Sequence, residues 1–194
     1  KWNLARFAEC LIPLIDKNEE TAIKIATDVI DNFQNIYEKK WLNMMRDKLG
    51  LFGEDKNDRQ LIDDLLNWME KYKIDYTNTF CHLMEIKIDE NTYKDESFIT
   101  WFDEWKKRSK LNNSSKEKQI ELMKKNNPIV IPRNHKVEEA LTEANNGSLK
   151  KMNKLNNILK NPYTNEKYIT EYQVTAPITD EKYTTFCGIS ISTT

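Results

Sequence analysis

Apolar side chains recur every three or four positions along most of the first 160 residues, and this spacing restricts the fold more than any other feature. Between Trp2 and Ile15, for example, the apolar residues fall on one face of a helix. The chain of 194 residues contains only four glycines and five prolines. That is too few turn residues for a turn-dense β-sandwich. The sequence therefore predicts an all-α fold.

Capping residues and helix breakers divide the pattern into separate helices. Gly50 follows an apolar stripe and is expected to end it in the left-handed conformation. Ser114 with Glu117 forms a capping-box signature, and Asn134 is expected to cap another helix. Residues 127–132 are expected to be extended because two prolines exclude the preceding residues from helical geometry. We predict helices over Trp2 to Ile15, Asp16 or Asn18 to Gly50, and Ser148 to Asn161, with further helices opening at Asp58, Asp75, Asp95, Ser114 and Asn134.

The character of the chain changes after Pro162. Residues 163–194 are rich in Thr and Tyr and have no helical period, and alternate residues from Tyr168 to Val174 follow the pattern of a short strand. We therefore predict a helical domain over residues 1–162 and a docked, largely irregular tail over residues 163–194.

Charge is balanced overall but unevenly distributed. The net charge is −1, so composition does not favour a nucleic-acid or membrane partner. Residues 1–102 carry 14 basic and 20 acidic side chains, whereas residues 103–160 carry 14 and 7. This basic stretch is expected to face either an acidic partner or the acidic first half of the chain. The longest apolar run, Cys10 to Ile15, is too short to cross a bilayer.

No motif for catalysis, cofactor binding or metal binding is present in the sequence. The four glycines are not clustered, so no loop can bring several backbone amides to a phosphate. The best local set of metal ligands is Cys81, His82 and Glu85, but adjacent helical side chains diverge by about 100°. We predict no catalytic, cofactor-binding or metal-binding residue in this chain. Cys10 and Cys81 are predicted to be buried, which fits a reducing cytoplasm.

Two features remain as candidate sites. Arg133, Asn134 and His135 stand where an extended segment enters a helix. They form either a capped helix start in which the arginine binds nearby carbonyl groups, or an interaction site. Cys187 lies in the tail and is either an inert thiol or a redox-active one.

Several stretches resemble the C-terminal half of selenoprotein O-like proteins. The most specific runs from Asn127-Pro128 through Pro132-Arg133-Asn134-His135 to Leu141. Lys1 to Glu9, Trp41 to Leu51, Asn161-Pro162-Tyr163 and Thr185-Phe186-Cys187-Gly188 also match the family. The resemblance extends from residue 1 to residue 188. It implies that the chain is the multi-helix C-terminal part of a protein-kinase-like fold.

The resemblance also implies a function for the whole protein. Family members are understood to transfer AMP from ATP to Ser, Thr or Tyr hydroxyls of proteins, with Mg or Mn as the metal ion. A cytoplasmic, bacterial-like protein is expected. The nucleotide site lies upstream of the matched region, so this chain is expected to be inactive alone, with the kinase-like N-terminal part as its partner. The family's terminal motif implies a redox role for Cys187. The alternative is a free-standing interaction module that uses the basic stretch 103–160.

Overall fold

A computed structural model describes residues 1–86, 91–164 and 169–175. The regular structure of these residues consists of α-helices and two single-turn 3-10 helices, with no strand, which confirms the predicted all-α class. The α-helices are α1 Trp2–Ile15, α2 Glu19–Asp31, α3 Phe33–Lys48, α4 Asp58–Tyr72, α5 Tyr76–Leu83, α6 Glu96–Ser109, α7 Lys116–Asn126, α8 Asn134–Asn145, α9 Lys150–Leu159 and α10 Ile169–Tyr172. Within the described ranges, no helix combines the length and the apolar composition that a bilayer span requires.

The chain divides into two compact units, residues 1–46 and residues 47–194. In the first unit α1 packs on α2, whose buried residues are the small Ala22 and Ala26. Helix α1 itself has no buried residue, and the side chains of Trp2, Phe7 and Leu14 are 72, 62 and 82 % exposed. The first unit therefore presents exposed apolar side chains along α1.

The predicted continuous helix to Gly50 is interrupted at Asn32. The break separates α2 from α3, and the Asn32 side chain accepts a hydrogen bond from Asn35 Nδ2 at 3.2 Å. The backbone hydrogen bonds continue on both sides of the break, from the Asn32 amide to the Asp28 carbonyl and from the Ile36 amide to the Asn32 carbonyl, each at 3.2 Å. The predicted terminator Gly50 is confirmed: its φ is +65°, and a Cβ there would lie only 2.5 Å from Gln119 Cγ.

The core of the second unit is built largely from aromatic side chains on α4 and α6. The ring centroids of Trp68 and Phe98 lie 4.7 Å apart. The indole N–H of Trp101 donates to the Leu61 carbonyl at 2.8 Å, so this buried indole has its polar group satisfied. Trp68, Trp101 and Trp105 are each 7 % exposed. These three tryptophans therefore pack in the core of the second unit.

Helix caps agree with the sequence at three positions. Asn18, Asp75 and Asp95 each accept a backbone N–H at the start of a helix, as predicted. The predicted capping serine of α7 is wrong by one residue, because Ser115 rather than Ser114 accepts the N–H of Lys118. Two adjacent serines offer the same chemistry, and Ser115 has the extended backbone that a cap requires.

The described part of the tail contains a helical turn instead of a strand. Residues Ile169–Tyr172 form α10, which corrects the strand interpretation there. A single turn leaves its last carbonyl groups without helical partners. The Tyr172 carbonyl accepts instead from Arg133 Nε at 3.1 Å, and Glu171 pairs with Lys154 at 2.7 Å. These contacts with other helices outweigh the preference for a strand that the alternating sequence predicts.

Candidate functional site

The extended segment before α8 is held in place by the end of the helical body. The backbone amides of Ile129 and Val130 both donate to the Pro162 carbonyl, at 2.8 and 3.1 Å. The extended conformation that the prolines predict is found at Asn127, which precedes Pro128 and has φ −125° and ψ 110°. The segment brings Arg133 to the start of α8, facing α5.

Arg133 forms a bidentate ion pair with Asp75. Its Nη1 and Nη2 atoms donate to the two carboxylate oxygens at 2.5 and 3.0 Å. Asp75 is also the N-cap of α5 and accepts the backbone N–H of Asn78 at 2.8 Å. The side chains of Arg133 and Asp75 are 9 and 19 % exposed. A paired geometry of this kind is strong and directional because both oxygens meet both donors.

The pKa of Asp75 reflects this environment. Burial alone raises the pKa of a carboxyl group, because it disfavours the charged form. The hydrogen bonds from Arg133 and from the Asn78 amide outweigh burial and hold the pKa of Asp75 below its ordinary value. Asp75 is therefore ionised at neutral pH and keeps its ion pair.

The same arginine and its neighbour also hold the tail. Arg133 Nε donates to the Tyr172 carbonyl, and Asn78 Nδ2 donates to the Gln173 carbonyl, each at 3.1 Å. Tyr172 and Gln173 are 5 and 6 % exposed. Both tail residues are thus fixed through their backbone by side chains of the helical body.

Gln173 is fixed through its side chain as well. Its Nε2 donates to the Ile129 carbonyl at 3.0 Å and lies 3.2 Å from Cys81 Sγ. Cys81 is fully buried, as the sequence predicts. We call this cluster the tail clamp; it consists of Asp75, Asn78, Cys81, Ile129 and Arg133 around Tyr172 and Gln173.

The Cys81 thiol in the tail clamp is chemically quiet. Burial, together with the nearby Asp75 charge, raises the pKa of Cys81 to about 12. The thiolate is the nucleophilic form of cysteine, so a thiol with this pKa is unreactive at neutral pH while the clamp is closed.

The other two residues of the predicted cluster lie elsewhere. Asn134 is exposed and is the first residue of α8; Arg133 is the N-cap and makes no side-chain capping hydrogen bond. The prediction that Asn134 caps the helix is therefore wrong, because the helix already begins at Asn134 and the cap position falls on Arg133. His135 is half-buried, and burial, followed by the Lys136 charge, lowers the pKa of His135.

Nothing in the sequence indicates the role of a second arginine, Arg108, which is buried. Arg108 Nε donates to Asp58 Oδ1 at 2.6 Å, and Arg108 Nη2 donates to the Phe52 and Gly53 carbonyls at 3.3 and 3.2 Å. Asp58 is fully buried. We call Arg108, Asp58 and the two carbonyl groups the loop clamp. Asp58 shows in the sequence only as a helix start, and nothing there points to its partner 50 residues later.

The basic stretch pairs in part with the acidic first half of the chain. Lys116 with Glu85, Arg108 with Asp58 and Arg133 with Asp75 are ion pairs of this kind. The basic stretch was expected to face either an acidic partner or the acidic first half of the chain, and these contacts favour the second alternative.

The remaining predicted residues have simple placements. Cys10 is exposed, so the prediction that it is buried is wrong; the face of α1 that carries it has no partner layer among the described residues. Cys187 lies outside the described residues. His82 stacks on Tyr93 with ring centroids 3.8 Å apart. Within the described ranges no three His, Cys, Asp or Glu residues converge to hold a metal ion.

Comparison with known proteins decides the family. The family model described as protein adenylyltransferase SelO matches residues 1–160. The chain belongs to the SelO family.

Similar proteins carry the name protein nucleotidyltransferase YdiU. That of Pelagibacter ubique strain HTCC1062 is 56 % identical over 97 % of this chain and 39 % of its own length. That of Clostridium perfringens strain 13 is 46 % identical over 96 % of this chain and 38 % of its own length. That of Bacillus cereus strain AH820 is 47 % identical over 96 % of this chain and 39 % of its own length. The chain thus spans about two-fifths of the length of these SelO-family relatives.

The family match and the tail clamp overlap only in part. Asp75, Asn78, Cys81 and Arg133 lie inside the matched residues 1–160, whereas Tyr172 and Gln173 lie beyond them. The clamp therefore joins the part of the chain that the SelO model describes to the segment that follows it.

Proposed function

We propose that the whole protein transfers AMP from ATP to Ser, Thr or Tyr hydroxyls of other proteins, and that this chain is its helical support region. The observation that carries the proposal is the SelO family match over residues 1–160, together with relatives named nucleotidyltransferases. The kinase-like fold, the ATP site and the Mg or Mn ions belong in this proposal to the three-fifths of the protein outside the chain.

The proposed reaction is a nucleotidyl transfer. The acceptor hydroxyl oxygen forms a bond to the α-phosphorus of ATP, and the bond from that phosphorus to the bridging oxygen breaks. Pyrophosphate leaves, and the hydroxyl proton passes to a base. Such chemistry depends on positioning the phosphates and neutralising their charge. The four separate glycines of this sequence supply no phosphate-binding loop, which supports a role outside the reaction centre.

A docking surface supports the structural role. The exposed side chains of Trp2, Phe7 and Leu14 lie on a helix without buried residues. Large apolar surface of this kind marks an interaction site in soluble proteins. We assign it to contact with the kinase-like N-terminal part of the same protein.

The redox role of Cys187 is part of the same proposal. Mapping disulfides in the full-length protein by mass spectrometry without reduction tests it. A disulfide that includes Cys187 supports the role, whereas a free Cys187 thiol in an oxidising buffer contradicts it.

The activity proposal is tested with ATP labelled at the α-phosphate, Mg or Mn, and an acceptor protein. The full-length protein is expected to label the acceptor, and the 194-residue chain at equal concentration is not. Label transferred by the chain alone would overturn its support role. Failure of the full-length protein to label any of several Ser, Thr and Tyr acceptors would overturn the activity.

The docking surface is tested separately with Phe7→Ser. In the full-length protein this variant is expected to lower the melting temperature by several degrees, since about 2 kcal/mol of apolar burial is lost. In the 194-residue chain Phe7 is exposed, so the same variant is expected to leave the melting temperature unchanged. Equal shifts in both proteins would contradict docking through this surface.

A further inference from the structure

A groove lies between the end of α5 and the facing sides of α6 and α7 in the second unit. It encloses about 410 Å³. This volume is in the range of small-molecule sites rather than of protein interfaces. None of the residues of the tail clamp lines it.

The floor of the groove is apolar and partly aromatic. Phe102 and Trp105 of α6 line it together with Ile120 of α7. The indole N–H of Trp105 already donates to the Leu49 carbonyl at 3.0 Å, so the contribution of this side chain to the groove is apolar. Such a floor suits a flat apolar group, because aromatic rings stack on one another with offset geometry.

The rim of the groove is positively charged. Lys106, Lys110 and Lys116 line it, against the single carboxylate of Glu85. The Lys106 ammonium lies 4.3 Å from the Phe102 ring centroid, which places a positive charge beside the aromatic floor. Lys116 pairs with Glu85 and Lys106 pairs with Asp103 at 3.4 Å, whereas Lys110 makes no ion pair with any residue in the described ranges.

The beginning of α7 frames the rim and is already capped. Lys116 is the first residue of this 11-residue helix, the Ser115 hydroxyl accepts the backbone N–H of Lys118, and the first turn carries the acidic Glu117. Ser109, Ser114 and Gln119 supply further hydrogen-bonding groups around the groove.

We propose that this groove binds a small anionic ligand with a flat apolar body, of the class of aromatic monophosphates. The apolar body lies against Phe102 and Ile120, and the anionic group meets the lysine rim. This inference does not depend on the proposed AMP transfer, whose reaction centre lies outside the chain.

The probe is 1-naphthyl phosphate, titrated into the ¹⁵N-labelled 194-residue chain and followed by amide chemical shifts. Shift changes are expected on α6 and α7. Inorganic phosphate and neutral 1-naphthalenemethanol are each expected to bind at least about tenfold more weakly, because each lacks one half of the ligand. The carboxylate 1-naphthoate shows whether the rim requires a phosphate or accepts any anion of this shape; either result supports the groove.

Lys110→Glu is expected to weaken the binding of 1-naphthyl phosphate about tenfold. Lys118→Glu is the matched control, because it makes the same charge change on the exposed surface of α7 outside the groove. It is expected to change affinity by less than about twofold. Phe102→Leu keeps an apolar floor without the ring and is expected to weaken binding by about fivefold.

The wild-type chain supplies a test that needs no variant. Raising NaCl from about 0.05 to 0.5 M is expected to weaken the binding of 1-naphthyl phosphate severalfold, since the rim acts through charge. Absence of binding at millimolar probe, equal weakening by Lys118→Glu and Lys110→Glu, or equal affinity for 1-naphthalenemethanol would overturn the proposal. Lys110→Glu is expected to leave AMP transfer by the full-length protein unchanged, so the two proposals fail separately.

Discussion

Two arginines in the second unit bind aspartates at helix starts, yet they hold different parts of the chain. In the loop clamp, Arg108 binds Asp58 and two carbonyl groups of the loop before α4. In the tail clamp, Arg133 binds Asp75 and the carbonyl of Tyr172 near the end of the described chain. The loop clamp closes the helical body on itself, whereas the tail clamp attaches a short segment to it.

Burial distinguishes the two clamps energetically. Asp58 is fully buried, so loss of Arg108 leaves a charge with no access to water. Asp75 keeps 19 % of its side-chain surface exposed, so water can partly replace Arg133. An Arg–Asp pair thus serves global stability in the loop clamp and local attachment in the tail clamp.

The largest effect is expected from Arg108→Ala. It should lower the free energy of unfolding by about 3–5 kcal/mol, because the Asp58 carboxylate stays buried without its partner. Chemical denaturation of the 194-residue chain measures this. Arg59→Ala is the control, since Arg59 pairs with Asp63 on the exposed surface, and it is expected to cost less than about 1 kcal/mol. Similar losses for both variants would remove the distinction between buried and exposed pairs.

Arg133→Ala is expected to have the next largest effect. It removes charge-assisted hydrogen bonds to Asp75 and Tyr172 and should cost about 2 kcal/mol. It should also raise the rate at which a thiol reagent labels Cys81, measured in a background where Cys10 and Cys187 are serine. Unchanged labelling of Cys81 would show that the tail clamp does not depend on Arg133.

Gln173→Ala tests the side-chain part of the tail clamp. It removes the hydrogen bond to the Ile129 carbonyl and the contact with Cys81 Sγ, and should cost about 1 kcal/mol in thermal or chemical unfolding. Val174→Ala is the neighbouring control, because Val174 is 57 % exposed, and its effect should be within about 0.5 kcal/mol. A larger loss for the control would place the tail's attachment elsewhere.

The smallest expected effect is on the pH dependence of stability. The pKa of Asp75 is lower in the folded chain than in the unfolded chain, so its contribution to stability is full above the unfolded pKa near ~3.9. It is lost as the pH falls through the folded pKa. Asp75→Asn should therefore reduce the dependence of stability on pH below about pH 4. A variant with the same acid dependence as the wild-type chain would contradict this role of Asp75.

Local signals predicted the helices well. The apolar spacing and the capping residues Asp75 and Asp95 act within a few positions, so one sequence is enough to read them. The errors are also local: Asn32 interrupts a continuous apolar stripe, and adjacent serines at the start of α7 offer alternative caps. Cys10 carries the pattern of a buried residue on a helix that has an exposed surface in this chain.

The site depends on contacts that a single sequence does not encode locally. Arg133 was recognisable as an arginine at a helix entry, but Asp75 lies 58 positions earlier and Tyr172 39 positions later. The loop clamp has the same property. Pairings over such separations result from how the helices pack, and periodicity and capping carry no information about them.

The most direct test of the account is the denaturant dependence of Cys81 labelling in the Cys10→Ser, Cys187→Ser chain. If the tail clamp opens by itself, the opening free energy derived from the Cys81 labelling rate is smaller than the free energy of global unfolding. This opening free energy then changes little at low denaturant concentration. This is the predicted result, and Gln173→Ala should accelerate labelling further. Labelling that follows global unfolding at every denaturant concentration would contradict the separate attachment of the tail.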